Sequence, residues 1–267
     1  MAKIDALMRM DDQSVVITGG NGHLGRAIAE TLVELGAHII LIDRPNSDFR
    51  QIQSILKKVN PIDHEMIECD IEDDRQRSVA IDHIMESGGQ IGCLINAAAF
   101  TGDTSLEGWT SPFETQSLIT WRRALEVNLT AAFHFSQGLT PALRLAGDGN
   151  IINITSIYGE FGPNWDLYSG TNMGNPAAYS ASKGGLCQLS RWLSTTLAPD
   201  IRVNSISPGG IFRGQPAAFV RSYNQKTPLK RMAAEEDLIG AVTYLATKMS
   251  RYVTGQTLRV DGGWSAW

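Results

Sequence analysis

The chain is short of several things that other protein classes need. Three cysteines (Cys69, Cys93 and Cys187) are scattered through 267 residues. An odd, unclustered set in apolar surroundings excludes a disulfide framework and a zinc cluster, and reads as reduced core thiols in a cytoplasmic protein. There is no basic run, and the formal net charge is −5, so nucleic acid is not expected as a main partner. No apolar stretch approaches the roughly 18 residues that a bilayer-spanning helix requires. The opening MAKIDALMRMDDQ lacks an apolar core and carries acids early, unlike a secretory leader. Repeats, linkers and low-complexity tracts are missing too. What remains is a chain of a size suited to one large α/β domain or two small ones.

The positive evidence begins with alternation. SVVIT (14–18), HIILI (38–42), HEMIEC (64–69), GCLINA (92–97), NIINIT (150–155), IRVNSIS (201–207) and TLRV (257–260) are short, β-branched runs that read as strands. Amphipathic stretches such as HLGRAIAETLVEL and AEEDLIGAVTYLATK lie between them and read as helices. Strands apolar on both faces imply a parallel sheet covered by helices on each side. The expectation is one α/β domain over residues 1–267, doubly wound around about seven strands. Two long connections, 100–115 and 157–176, leave the carboxyl ends of central strands, where such sheets bind ligands.

The first strand runs into TGGNGHLG, residues 18–25, with a helix at once behind it. Gly20, Gly22 and Gly25 fit G-x-G-x-x-G in the strand–turn–helix setting that lets backbone amides approach a pyrophosphate. Asp43 ends the second strand, 23 positions beyond Gly20. A carboxylate there accepts both hydroxyls of an adenosine ribose and repels a 2′-phosphate, which favours NAD. The neighbouring Arg44 could pair with that phosphate and leaves NADP open. His23, at the helix start, has a structural reading.

Residues 156–183, SIYGEFGPNWDLYSGTNMGNPAAYSASK, contain three tyrosines. Tyr168 is followed by Asn172 in a poor helix former, SGTNMGNP. Tyr179 is followed four residues later by Lys183, in a credible helix opened by Pro176. Residues four apart share a helical face, so ammonium and phenol can meet on one ligand. Tyr179 is therefore the proton-transfer candidate.

With these residues assembled, the chain resembles the short-chain dehydrogenase/reductases (SDRs) over nearly its whole length. The resemblance rests on TGGNGHLG, Asp70 in ECDIE, INAA (95–98), EVN (126–128), TSIYG (155–159), YSASK (179–183), SPGG (207–210) and TGQTLRVDGG (254–263), in the family's order. It implies a Rossmann fold and an NAD(P)-dependent oxidoreductase acting on a secondary alcohol or ketone. Ser156, Tyr179 and Lys183 would be catalytic, with Asn128 holding a water that links Lys183 to solvent. Cofactor contacts would come from Gly19, Gly20, Asn21, Gly22, His23, Leu24 and Gly25. Asp43, Arg44, Asp70, Ile71, Asn96, Ala97 and Ala98 would add to them, as would Tyr179, Lys183, Pro208, Gly209, Gly210 and Ile211. Relatives pair helices that here carry Trp121, Leu125, Phe133, Leu186, Leu189 and Leu193, which implies a homotetramer or homodimer. No metal is expected.

Three departures stand out. His23 occupies the place of a glycine usual in compact members, giving T-G-x-x-G-x-x-G, the spacing of longer relatives that act on nucleotide-linked sugars. Ala98 replaces a usual glycine. Ser156 and Tyr179 are 23 apart, with an insertion between them. That insertion and residues 100–115 supply Asp103, Glu107, Trp109, Trp165 and Asp166. Acids with indoles suit a polyhydroxylated ligand, although the tryptophans could equally anchor the loops. Arg213 is a candidate for an anionic substituent. INAAA, SIYG, SPGGIF and VDGGWSAW also resemble relatives that modify bacterial flagellin and surface glycans. The expected activity is therefore on a sugar, polyol or sugar derivative. Two alternatives stay open: a nucleotide-sugar epimerase or dehydratase that retains NAD, and a nucleotide-binding regulator without turnover.

Overall fold

A computed structural model describes residues 3–87, 90–102 and 105–267. After a short helix α1 (Lys3–Met8), the chain alternates β1 (Ser14–Thr18), α2 (His23–Glu34), β2 (His38–Asp43), α3 (Arg50–Val59), β3 (Glu65–Glu68), α4 (Asp74–Glu86) and β4 (Ile91–Asn96). The second half contains α5 (Leu118–Leu125), α6 (Ala131–Leu145), β5 (Gly149–Ile154), α7 (Ala177–Thr196), β6 (Ile201–Pro208), α8 (Ala217–Lys226), α9 (Glu236–Ala246) and β7 (Thr257–Val260). The seven expected strands are all present, with ends moved by a residue or two.

The strands form a single parallel sheet in the order β3-β2-β1-β4-β5-β6-β7. β4 and β5 are buried along their full length, as a strand covered on both faces must be. One apolar cluster lies between the sheet and α2 and α9, through Ile28, Leu32, Val242 and Leu245. A second lies on the other face, with Ile81, Ile84, Phe135, Leu139 and Leu193. The strand order reverses between β1 and β4. In open α/β sheets that reversal opens a crevice at the carboxyl ends of the strands.

Register also builds a polar row inside the sheet. Asn96 is level with Asn153, and Asn153 with Ser205. Asn96 Nδ2 donates to Asn153 Oδ1 (2.8 Å), Asn153 Nδ2 to Ser190 Oγ on α7 (2.8 Å), and Ser205 Oγ to the same Ser190 oxygen (2.8 Å). Buried amides must find partners or cost about 1–3 kcal/mol each. The row therefore fixes where α7 lies on the sheet.

Leu186 and Leu193, expected on a subunit-pairing face, are instead buried within the chain's own core. Phe133 remains exposed, as do Leu118, Ile119 and Trp192. Burial pushes the Cys69 thiol up to about 11 and Cys93 to about 12, which keeps both protonated and inert. Among the described residues, no helix is long and apolar enough to cross a membrane.

Candidate active site

The loop from β1 to α2 is held by backbone. Gly20 N donates to Ile42 O and Gly22 N to Gly19 O, each at 3.1 Å. Gly19 has φ +69°, and a Cβ there would lie 2.7 Å from Ala98 Cα. Ala98 itself is accommodated, its amide donating to Thr18 Oγ1 (3.3 Å). A Cβ on Gly25 would stand 2.2 Å from Gly19 O, so that position must stay bare. Gly22 caps α2 with no side-chain hydrogen bond. The first-turn amides, from His23 to Gly25, are thus left for an anion, as a pyrophosphate requires. Leu24 packs against the core beneath them.

Asp43 lies at the tip of β2. Its Oδ2 accepts Asn21 N (2.8 Å), and its Oδ1 accepts Arg44 N (2.8 Å) and Ser47 Oγ (3.4 Å). A carboxylate offers about four acceptor positions, so capacity remains for a ribose hydroxyl. Arg44 is exposed. Asp70 Oδ1 accepts Glu72 N (3.0 Å), and Ile71 is buried beside it. These residues fit a dinucleotide on protein geometry alone.

The tip of β5 delivers Ser156, which opens a short turn (Ile157–Gly159) with its Oγ accepting Tyr158 N (3.2 Å). Pro176 starts α7, as expected, with Ala177 the first helical residue. Lys183 is 1% exposed, and its Nζ donates to Ile154 O at the end of β5 (2.8 Å). The amine is thus tied to the strand that carries Ser156. Tyr179, one turn earlier, packs against Trp109, Ala124 and Ala178.

Asn128 sits in a wide π turn (Glu126–Thr130) between α5 and α6, a deformation common at functional sites. Its Oδ1 accepts Phe100 N (2.6 Å), while its Nδ2 donates to Ser182 Oγ (3.0 Å) and Phe100 O (3.3 Å). One side chain therefore joins the β4 loop to α7, next to Lys183.

The electrostatics of this group are not those of a ready base. Burial pushes the Tyr179 phenol above its usual range, opposed by a hydrogen bond with Ser156. Burial also pulls Lys183 down from 10.5 to about 8. Within that window the unfolded chain binds a proton that the folded chain has lost, so this group's contribution to stability rises with pH from 8 to 10.5. Replacing Lys183 by Met removes the effect. The stability of wild type relative to Lys183→Met should therefore increase by about 3 kcal/mol between pH 8 and pH 10.5 in urea melts. Parallel stability–pH curves for the two proteins would refute the shift.

Other predicted contacts fall differently. The Gly209 amide donates to Val260 O (3.0 Å) and the Gly210 amide to Tyr223 Oη (2.5 Å), while both glycines line a cavity with Tyr223 and Asp261. Pro208 ends β6, and Ile211 forms a backbone bridge to Ala233. Trp109 is 2% exposed, with Nε1 donating to Thr101 O (2.8 Å) and its ring edge-on to Phe100. It anchors its loop and presents no sugar platform. Trp165 is exposed, and exposed Asp166 pairs with Lys226 (3.5 Å). Arg213 is not free for an anionic substituent, because Glu235 holds its guanidinium (2.5 Å). His23 approaches that same carboxylate, at 4.0 Å. Glu107 is exposed, and Asp103 lies outside the described residues. Sequence reasoning missed the pairing of Tyr158 with Tyr168, whose hydroxyls are 2.8 Å apart. Only the clustering of tyrosines hinted at it.

Comparison with known proteins agrees with the fold. Residues 21–265 match a family model described as "Enoyl-(Acyl carrier protein) reductase". A "Post-translational flagellin modification protein A" of Campylobacter coli is 28% identical over 96% of this chain and 99% of its own length. A "Probable galactose dehydrogenase GalD" of Rhizobium meliloti (strain 1021) is 28% identical over 94% of each chain. A short-chain dehydrogenase from Leptospira borgpetersenii, solved with bound NAD+, is 32% identical, covers 99% of this chain and 96% of its own, and superposes with a TM-score of 0.83.

Proposed function

The chain belongs to the short-chain dehydrogenase/reductases, and from that premise we propose that it interconverts a secondary alcohol and a ketone on a sugar, polyol or sugar derivative, preferring NAD. The observation that carries this reading is that Lys183 is tied to Ile154 O at the end of β5, two residues before Ser156, while Tyr179, one turn earlier on α7, shares a hydrogen bond with Ser156. A bound nicotinamide supplies the hydride acceptor or donor. Tyr179 then takes or gives the hydroxyl proton at the substrate oxygen, while Ser156 donates a hydrogen bond to that oxygen as charge grows on it. Lowering a phenol from about 10 to near 7 takes about 4 kcal/mol. A nearby cation provides one to three units, and burial here works against it. Lys183 is therefore necessary yet marginal, and part of the effect must come from positive charge held in the crevice.

Support for a carbohydrate comes from the flagellin-modifying and galactose dehydrogenase relatives. Asp43, committed to the loop and carrying spare acceptor capacity, supports NAD. Of the residues expected to pair subunits, Phe133 is exposed, and exposed Leu118, Ile119 and Trp192 add apolar surface that supports a homodimer or homotetramer. The test is a spectrophotometric screen of sugars and polyols with NAD+ and NADP+ in parallel. We expect NADH formation on at least one polyol, with kcat/KM favouring NAD+ by at least about tenfold, or ~1.4 kcal/mol. Replacing Asp43 by Ala should narrow that preference. Equal use of both cofactors by wild type would remove the role given to Asp43. Absence of turnover across the panel would remove the oxidoreductase reading.

A further inference from the structure

Tyr158 and Tyr168 form a phenol pair on the segment that follows Ser156. Tyr158 lies two residues past Ser156 and hydrogen-bonds its Oγ through the backbone. The next residue, Gly159, packs so closely on α7 that an added Cβ would lie 2.7 Å from the Lys183 carbonyl carbon. Burial above all pushes both phenols up, and the neighbourhood of Tyr179 adds a smaller push in the same direction. Tyr168 comes from the inserted segment, and its ring packs on Phe219 (5.5 Å) and Trp165 (5.9 Å). Trp264 stands edge-on to Tyr158 at 6.3 Å.

Two phenylalanines would fill this apolar cluster without desolvating any hydroxyl, a cost of about 1–3 kcal/mol each when unpaired. Two hydroxyls sharing one hydrogen bond own two hydrogens, and the bond uses one. Whichever phenol donates, one O–H is left to seek an acceptor. Tyr168 is 9% exposed, whereas Tyr158 is only half-buried. The arrangement in which Tyr168 donates leaves the spare hydrogen on Tyr158, the phenol nearer Ser156 in the chain.

We propose that Tyr158, oriented by Tyr168, donates this hydrogen to a second oxygen on the carbon next to the reacting one, so that the site selects vicinal diols and α-hydroxyketones. Tyr158 is then a specificity residue, and Tyr168 a positioning residue that acts through it. The inference rests on the oxidoreductase reading above. It is tested with two probe pairs and NAD+: trans-cyclohexane-1,2-diol against cyclohexanol, and propane-1,2-diol against propan-2-ol. Wild type should prefer each diol in kcat/KM. Tyr158→Phe should lower the diol-to-monool ratio at least fivefold, and Tyr168→Phe should lower it in the same sense but less. Phenylalanine keeps both rings in the cluster, and the two variants check one another for loss of fold. A preference of wild type for the monools, no oxidation of either diol, or an unchanged ratio in both variants overturns the assignment. If the polyol screen gives turnover while the diol preference is missing, only this assignment falls. If neither gives turnover, the oxidoreductase reading falls with it.

Discussion

Replacing Tyr179 by Phe should reduce kcat by about a thousandfold, within the 10²–10⁴ range of general acid–base groups, while NADH still binds within about threefold of wild type. The phenol packs among Trp109, Ala124 and Ala178, and Phe fills the same space, so the loss is confined to the proton. Neither of the other phenols can replace it. Tyr158 and Tyr168 are engaged with each other, and burial holds both above the usual phenol range, Tyr168 at about 12. Stopped-flow measurement of hydride transfer, with fluorescence titration of NADH as the control, separates chemistry from binding. Residual activity within tenfold of wild type would mean that another group moves the proton.

Gly25→Val should weaken NADH binding by two to four orders of magnitude. The first atom of any side chain there meets Gly19 O at 2.2 Å, with Gly20 Cα at 2.8 Å, and both are backbone that cannot swing aside. The loop must move, and the amides at the start of α2 move with it. Losing two charge-assisted hydrogen bonds to a pyrophosphate, at roughly 1.5–3 kcal/mol each, corresponds to that range. Calorimetric titration measures it, with circular dichroism confirming the fold. Unchanged affinity in a folded variant would show that the pyrophosphate is held elsewhere.

The parts of this protein legible in its sequence are those set by short-range pattern. Runs such as SVVIT and TLRV gave strands with matching limits: the first is buried on both faces, which leaves little choice, and the second, at the sheet edge, is set by its own β-branched and apolar residues. Pro176 marked the start of α7, and the four-residue step from Tyr179 to Lys183 singled out the proton-transfer candidate. Partnerships between distant segments were hidden. Arg213 looks available until Glu235 folds back against it, and nothing local in either stretch signals the pairing. Trp109 sits in a polar loop, yet the chain closes over it. Nor did the sequence show that the Gly209 and Gly210 amides bond to Val260 and Tyr223. Such matches depend on tertiary docking, which periodicity does not encode.

The π turn at Glu126–Thr130 has a consequence for how the crevice is timed along the chain. A regular helix advances about 100° per residue, and the wide turn takes up one residue more than even winding would. Delete one residue there and α5 could run into α6 as an unbroken rod, but every side chain upstream would rotate by about that angle. Asn128 would then face away from both Phe100 and Ser182. The site is kept in phase by a local miscount in the coil, so substitutions near this stretch should be far better tolerated than changes in its length.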